Sequence, residues 1–262
     1  RNSALYRKQR VVQTKTQPTK NTKIGVRKAP APEGRAGFIR IDSVHQGDLD
    51  GIKGLYHINA VDCVTQWQVV ASVQAISEAH LLSVIEEMLA QFPFEILGFH
   101  ADNGSEYVNY KVARLLDKLR IEFTRSRPRH SNDNGLAETK NGAVVRKEFG
   151  YEHIHRRHAA RFDTFCREYL NPFLNYHRPC LFATELADPK KPGRIKRVYR
   201  PRDVMTPLDK LASLPDAASF LRPGVTLLEL QQLARALTDV QAAEELNEAR
   251  QALFRRAATR TG

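Results

Sequence analysis

The chain has no run of about 18 apolar residues, so no transmembrane helix is expected. Its N-terminus is basic and polar without an apolar segment, so no secretory signal is expected there. Cysteine is scarce: Cys63, Cys166 and Cys180 are scattered, with no CxxC pair. That argues against a disulfide framework or a zinc knuckle and fits a reducing compartment. The chain does not begin with Met, so a fragment or a processed chain is expected. No internal repeat occurs. Acids are the scarcer charge, 29 Asp and Glu against 41 Lys and Arg, for a net charge of +12. What is plentiful is apolar: 42% of the 262 residues are hydrophobic, enough for one full-sized domain plus smaller pieces.

The positive charge is segregated. Residues 1–36 carry ten Lys or Arg and one acid, Glu33. Residues 120–202 carry nineteen Lys or Arg against nine acids. Two basic blocks of this kind point to phosphate-backbone contact and strong salt dependence. Residues 1–36 show no sustained period and are punctuated by Pro18, Pro30, Pro32 and Gly34. They read as an extended linker able to lie along DNA. KKPGRIKRVYRPR (Lys190–Arg202) holds seven basic residues and no acid, and reads as a nucleic-acid-binding strap. A charged linker is the alternative.

Between these blocks the pattern sharpens. Gly37–Val44, GLYHINAVDCV and QWQVVASVQ read as three strands of a meander, the last two joined by a hairpin connection over Asp62 to Gln66. Ser77 opens a helix to about Gln91, ended by Pro93. Ile96–Ala101 is a fourth strand, followed by a helix from about Asn109 to Leu119 and a short strand Ile121–Thr124. Arg125–Asn134 is loop-like, and a helix runs from about Gly135 to Phe149. The order β-β-β-α-β-α-β-α calls for a mixed sheet with helices on its faces. Beyond Phe149 the chain is mainly helical; Phe162, Phe165, Cys166, Tyr169, Phe173 and Leu174 look like core packing. Thr226–Glu229 fits a capping box before two helices, roughly Leu227–Ala236 and Val240–Arg255. Their stripe of Leu227, Leu230, Leu233, Leu237, Val240, Leu246 and Leu253 reads as packing or self-association.

Three acids stand at strategic points. Asp42 ends the apolar run FIRID, Asp102 opens DNGSEY after EILGFHA, and Glu138 follows NDNGLA, with 35 residues between the last two. Acids at strand ends of such a sheet converge at one edge, where ligands bind. Carboxylates gathered in a folded core need a counter-charge. Hard oxygen ligands suit Mg²⁺ or Mn²⁺, and two such ions activate an attacking oxygen and stabilise a leaving one in phosphodiester chemistry. Asp62 is a competitor for the place of Asp42. Glu106 and Asp133 read as turn or supporting groups, and His153, His155 and His158 as a basic polar surface rather than a metal site.

IDS around Asp42, ADNGSEY around Asp102 and RPRHSNDNGLAETKN around Glu138 carry a specific resemblance. They resemble the catalytic core of retroviral integrases and of bacterial insertion-sequence transposases with an Asp-Asp-Glu triad. NYHRPCLF (Asn175–Phe182) is similar to the short Arg-Pro motif that follows this core. The resemblance covers about residues 36–182 and implies an RNase H-like α/β fold. It makes Asp42, Asp102 and Glu138 both catalytic and metal-binding, with two Mg²⁺ ions that Mn²⁺ could replace. The implied activity is cleavage at transposon ends followed by attack of the freed 3′-hydroxyl on target DNA. The expected organisation is a basic DNA-contacting linker (1–36), the catalytic core (37–182), a basic connector (183–225) and a helical C-terminal tail (226–262). Asn103 and Gly104 would shape the turn presenting Asp102. DNA contacts are expected from Lys140, Arg146 and Lys147, with Lys140 and Lys147 on one helix face, and from Lys190, Lys191, Arg194, Lys196 and Arg197. The resemblance also implies a homo-oligomer on double-stranded DNA and a cytoplasmic, nucleoid-associated bacterial setting, with an accessory ATPase left open. Two other classes share the fold: an inactive DNA-binding assembly protein and a nuclease of RNase H type that only hydrolyses.

Overall fold

The structure is a computed structural model, and it describes residues 24–102, 107–187, 193 and 195–258. Its centre is a six-stranded sheet in the order β1-β8-β7-β2-β5-β6. The strands are β1 (Val26–Arg27), β2 (Phe38–His45), β5 (Tyr56–Asp62), β6 (Gln68–Val73), β7 (Gly98–Ala101) and β8 (Glu122–Arg125); β3 (Asp48–Leu49) and β4 (Ile52–Lys53) form a small separate ribbon. β2, β5 and β6 pair antiparallel, as the meander predicts. β7 joins β2 in parallel, and β8 joins β7 in parallel. The sheet is therefore mixed. β7 begins at Gly98, two residues later than the sequence suggests.

Alternation along the strands sorts the side chains between two cores. Ile39 and Ile41 of β2, Ile58 and Ala60 of β5, and Val69 and Ala71 of β6 face the first core. There they meet α1 (Glu78–Leu89) and α2 (Tyr110–Lys118). Asn109 caps α2, its side chain accepting from the backbone N–H groups of Lys111 and Val112. The opposite face carries Val44 and Val70, covered by Val144, Phe149, Phe162, Phe165, Leu246 and Leu253. The helix bearing Glu138 lies on this second face. It runs through α3 (Gly135–Lys140), a π-helical stretch Asn141–Arg146 and α4 (Lys147–Phe149).

β6 is the last strand of the sheet, and its outer edge is bonded by side chains. Asp163 on α5 (Ala159–Phe165) accepts from the Ser72 N–H at 2.9 Å. Asn171 accepts from the Val70 N–H at 2.9 Å and donates to the Val70 carbonyl at 3.1 Å. Asn175 does the same at Gln68, with both bonds at 2.8 Å. Residues 68, 70 and 72 are alternate, as edge-facing amides must be.

The outer segments depart from the sequence reading. Val26–Arg27 is not free linker but pairs with Thr124–Arg125 at the sheet edge; residues 1–23 lie outside the described part. The segment after residue 182 is more than a connector. β10 (Thr184–Ala187) and β11 (Ile195–Val198) form a hairpin, and β9 (Cys180–Leu181) pairs with β12 (Val204–Met205). α6 (Pro207–Ala212) puts Leu208 and Leu211 into the first core, and α7 (Ala217–Phe220) follows. The capping box forms at Thr226 and Glu229, opening α8 (Leu227–Arg235). Of the expected leucine stripe, Leu230, Leu246 and Leu253 are buried in the two cores, whereas Leu233 and Val240 are exposed; α9 (Asp239–Ala258) supplies the last two leucines. Tyr169 also turns outward. Among the described residues no helix is long and apolar enough to cross a membrane.

Candidate active site

Asp42 stands on β2 opposite Asn59 of β5. On its other side, Ile41 pairs with Ala101, the last residue of β7, so parallel register carries Asp42 and Asp102 to the same sheet end. Glu138 approaches from α3. Burial is the main cause that pushes the Asp42 carboxyl up from 3.8 to about 6, and the negative charges of Asp102 and Glu138 push the same way. Opposing them, Ser43 N–H donates to Oδ1 at 2.8 Å and Asn141 Nδ2 donates to Oδ2 at 2.7 Å. Asp102 and Glu138 thus both lie within electrostatic reach of Asp42.

Behind Asp42 lies a chain of amides. Gln68 Nε2 donates to Asn59 Oδ1 at 2.8 Å, and Asn59 Nδ2 donates to Asn141 Oδ1 at 2.8 Å. Asn59 Nδ2 also donates to the backbone carbonyl of Ala137 at 3.2 Å, one residue before Glu138. Asn59 and Gln68 have no role in the sequence reading. One signal was present: Asn disfavours strands, yet Asn59 interrupts the apolar run of β5.

The competing acids have structural roles. Asp62 is fully buried; its Oδ1 accepts from the Gly37 and Phe38 N–H groups and its Oδ2 from the Val64 and Thr65 N–H groups and the Thr65 hydroxyl. It ties the β5–β6 turn to the start of β2. Gly37 is required there, because its φ is 112° and a Cβ would strike the Glu95 carbonyl oxygen. Asp133 takes a bidentate grip from Arg127, at 2.9 and 2.8 Å, which with the Arg127 N–H holds its carboxyl well below the usual range. That pair fixes the loop leading to Glu138. Glu106, Asn103 and Gly104 lie outside the described residues.

The expected DNA contacts separate. Lys140 Nζ donates to Cys180 Sγ at 3.1 Å and is half-buried, whereas Lys147 is exposed. The π-helical stretch between them changes the helical repeat, so a spacing of seven no longer means one face. Arg146 turns inward: Nη2 donates to the His45 carbonyl at 2.9 Å, and its guanidinium lies over Tyr151. It braces the end of β2 rather than reaching outward. Lys196 and Arg197 are exposed on β11; Lys190, Lys191 and Arg194 lie outside the described residues. Of the histidines, His155 accepts from the Arg157 N–H at 3.0 Å and His158 from Arg157 Nε at 3.2 Å. Burial and nearby arginines hold both below their ordinary pKa.

Among the described residues no three His, Cys, Asp or Glu side chains lie close enough to hold one metal ion as they stand. The acids at Asp42 do fit hard cations in chemistry. The donors are all carboxylate oxygens, and the repulsion from Asp102 and Glu138 that adds to burial in raising Asp42 is what a bound cation relieves.

Residues 37–131 match the family model of the Integrase core domain. Asp42 and Asp102 fall inside that match, and Glu138 falls beyond it. The chain is 29% identical over 116 residues to the uncharacterized protein y4rM of Sinorhizobium fredii, an overlap of 44% of this chain and 33% of that protein. The chain thus spans about a third of that curated relative. Among solved structures it is similar to the simian T-cell lymphotropic virus intasome in complex with PP2A regulatory subunit B56 gamma, at 16% identity, 52% and 47% coverage and a TM-score of 0.40. The catalytic core domain of BIV integrase is also similar, at 16% identity, 44% and 70% coverage and a TM-score of 0.36. The HTLV-2 integrase catalytic core domain in complex with magnesium gives 17%, 44% and 70%, and 0.35. Residues 37–131 thus match an integrase core domain and lie in a mixed α/β sheet flanked by helices.

Proposed function

We propose that the chain is a DNA transposase that cleaves transposon ends and joins them to target DNA, with Asp42, Asp102 and Glu138 as its reactive centre. The observation that supports this reading is geometric: parallel pairing of β2 with β7 carries Asp42 and Asp102 to the same end of the sheet, and the helix that bears Glu138 is bonded to Asp42 through Asn141. These acids would hold Mg²⁺, or Mn²⁺ in its place. When bound, such ions activate the attacking oxygen and stabilise the leaving oxygen of a phosphodiester.

The chain's own groups hold this centre in place. Ser43 and Asn141 fix both oxygens of Asp42. The Asn59 bond to the Ala137 carbonyl presses α3 onto the sheet and sets the height of Glu138. Lys140, two residues past Glu138, would meet a phosphate of the reacting strand, and Lys196 or Arg197 the duplex further out. The HTLV-2 and simian virus structures are of multimeric and intasome forms. Joining two DNA ends likewise calls for more than one copy of this chain.

The test is Glu138→Gln. It should abolish Mg²⁺-dependent strand joining and leave DNA binding intact. Joining at the wild-type rate would remove Glu138 from the centre.

A further inference from the structure

We propose that Asn59 is a positioning residue that sets Asp42 and Glu138 relative to each other, and so governs how tightly the acids grip a divalent cation. The inference rests on the three-carboxylate reading above and adds to it a residue outside the motifs.

Asn59 is fully buried in the middle of β5. A primary amide there is costly unless its donors and acceptor are satisfied. Three bonds satisfy it: Nδ2 to the Ala137 carbonyl, Nδ2 to Asn141 Oδ1, and Oδ1 from Gln68 Nε2. The carbonyl of Ala137 can only accept, so it decides which end of the Asn59 amide faces α3. With Nδ2 so fixed, Asn141 must turn its oxygen to Asn59. Its Nδ2 is then the group left for Asp42, at 2.7 Å. If Asn141 were free to flip, its oxygen would face the carboxylate and repel it. One side chain therefore touches the backbone beside Glu138 and, through a single amide, orders Asp42. Leucine keeps the branching and the number of side-chain heavy atoms of asparagine but has no polar atoms, so it fills the core while removing all three bonds.

The experiment uses the full chain, with Asn59→Leu and Asn59→Ala, and Mn²⁺ alone as the probe. Free Mn²⁺ is read by electron paramagnetic resonance during titration, with the melting temperature measured in chelator and nicking of supercoiled plasmid in Mn²⁺. Both variants should lose about 10- to 100-fold in Mn²⁺ affinity, the range for groups that orient metal ligands, with nicking falling in parallel. A folded Asn59→Leu that binds Mn²⁺ like the wild type overturns the proposal. If neither variant folds, the wild type still decides: adding Mg²⁺ should shift the side-chain amide resonances of Asn59 and Asn141 but not that of Asn171, and unshifted resonances overturn it. Asp42→Asn separates the two readings. If Asp42→Asn nicks normally, the reactive centre itself is misassigned; if it is inert while Asn59→Leu is normal, only the positioning role falls.

Discussion

Asn175 clasps Gln68 through two backbone hydrogen bonds, both 2.8 Å, while the side chain of Gln68 reaches on to Asn59. The motif after the core is thus joined to the reactive centre by four amide side chains in series: Asn175, Gln68, Asn59 and Asn141.

Replacing Asn175 with Ala should leave the Gln68 N–H and carbonyl buried and unpaired. A loss of about 2–6 kcal/mol in unfolding free energy is expected, at roughly 1–3 kcal/mol for each orphaned group. Urea denaturation measures it; a loss under about 0.5 kcal/mol would mean that water replaces the clasp.

Asp62→Ala should cost about 3 kcal/mol or more, because five donors would lose their acceptor. Whatever fraction folds should bind Mn²⁺ as the wild type does, since Asp62 faces the hairpin turn and not the acids. A selective loss of Mn²⁺ binding at unchanged stability would restore Asp62 as a ligand candidate.

His57 predicts an acid-sensitive fold. Burial, aided by the positive charge of Arg146, lowers its pKa from 6.5 to about 3, so the folded chain keeps it neutral while the unfolded chain protonates it. The stability is complete above pH 6.5 and is lost as pH falls from 6.5 toward 3, by up to about 1.4 kcal/mol per pH unit. His100, lowered to about 4 mainly by burial, adds a loss of the same sign. Melting curves across this window in wild type and His57→Leu provide the check. The variant should show a flatter pH dependence; an identical slope would mean that His57 is already protonated in the fold.

Lys196 and Arg197 are neighbours on β11 and so point to opposite faces of the hairpin. A duplex lying on one face meets one of them. Alanine at that residue should lower the salt slope of DNA binding by about 1, and alanine at the other should leave it unchanged. Equal effects from both would require the hairpin to sit edge-on to the duplex.

The core of the fold was legible because its signals are local. The strand signals of Gly37–Val44 and GLYHINAVDCV, the helix start near Asn109 and the Thr226–Glu229 capping box each act over a few residues. The mixed sheet followed from the order of strands and helices, whereas the parallel pairing of β7 with β2 is a finding of the structure. Val26–Arg27 was not legible, because a two-residue edge strand leaves no period and is fixed only by its partner β8. The inward turn of Arg146 was equally hidden: its acceptor, the His45 carbonyl, lies 101 positions away. Asn59 showed a local oddity whose meaning depended on Ala137 and Asn141, both far off in sequence.

The side-chain bonds along β6 have one more consequence. With Asp163, Asn171 and Asn175 occupying the amides of Ser72, Val70 and Gln68, that edge offers no template for a strand from another molecule. Copies of this chain gathered on DNA would have to meet through helical or loop surfaces on that side. The same three residues therefore guard a concentrated assembly against β-type aggregation there.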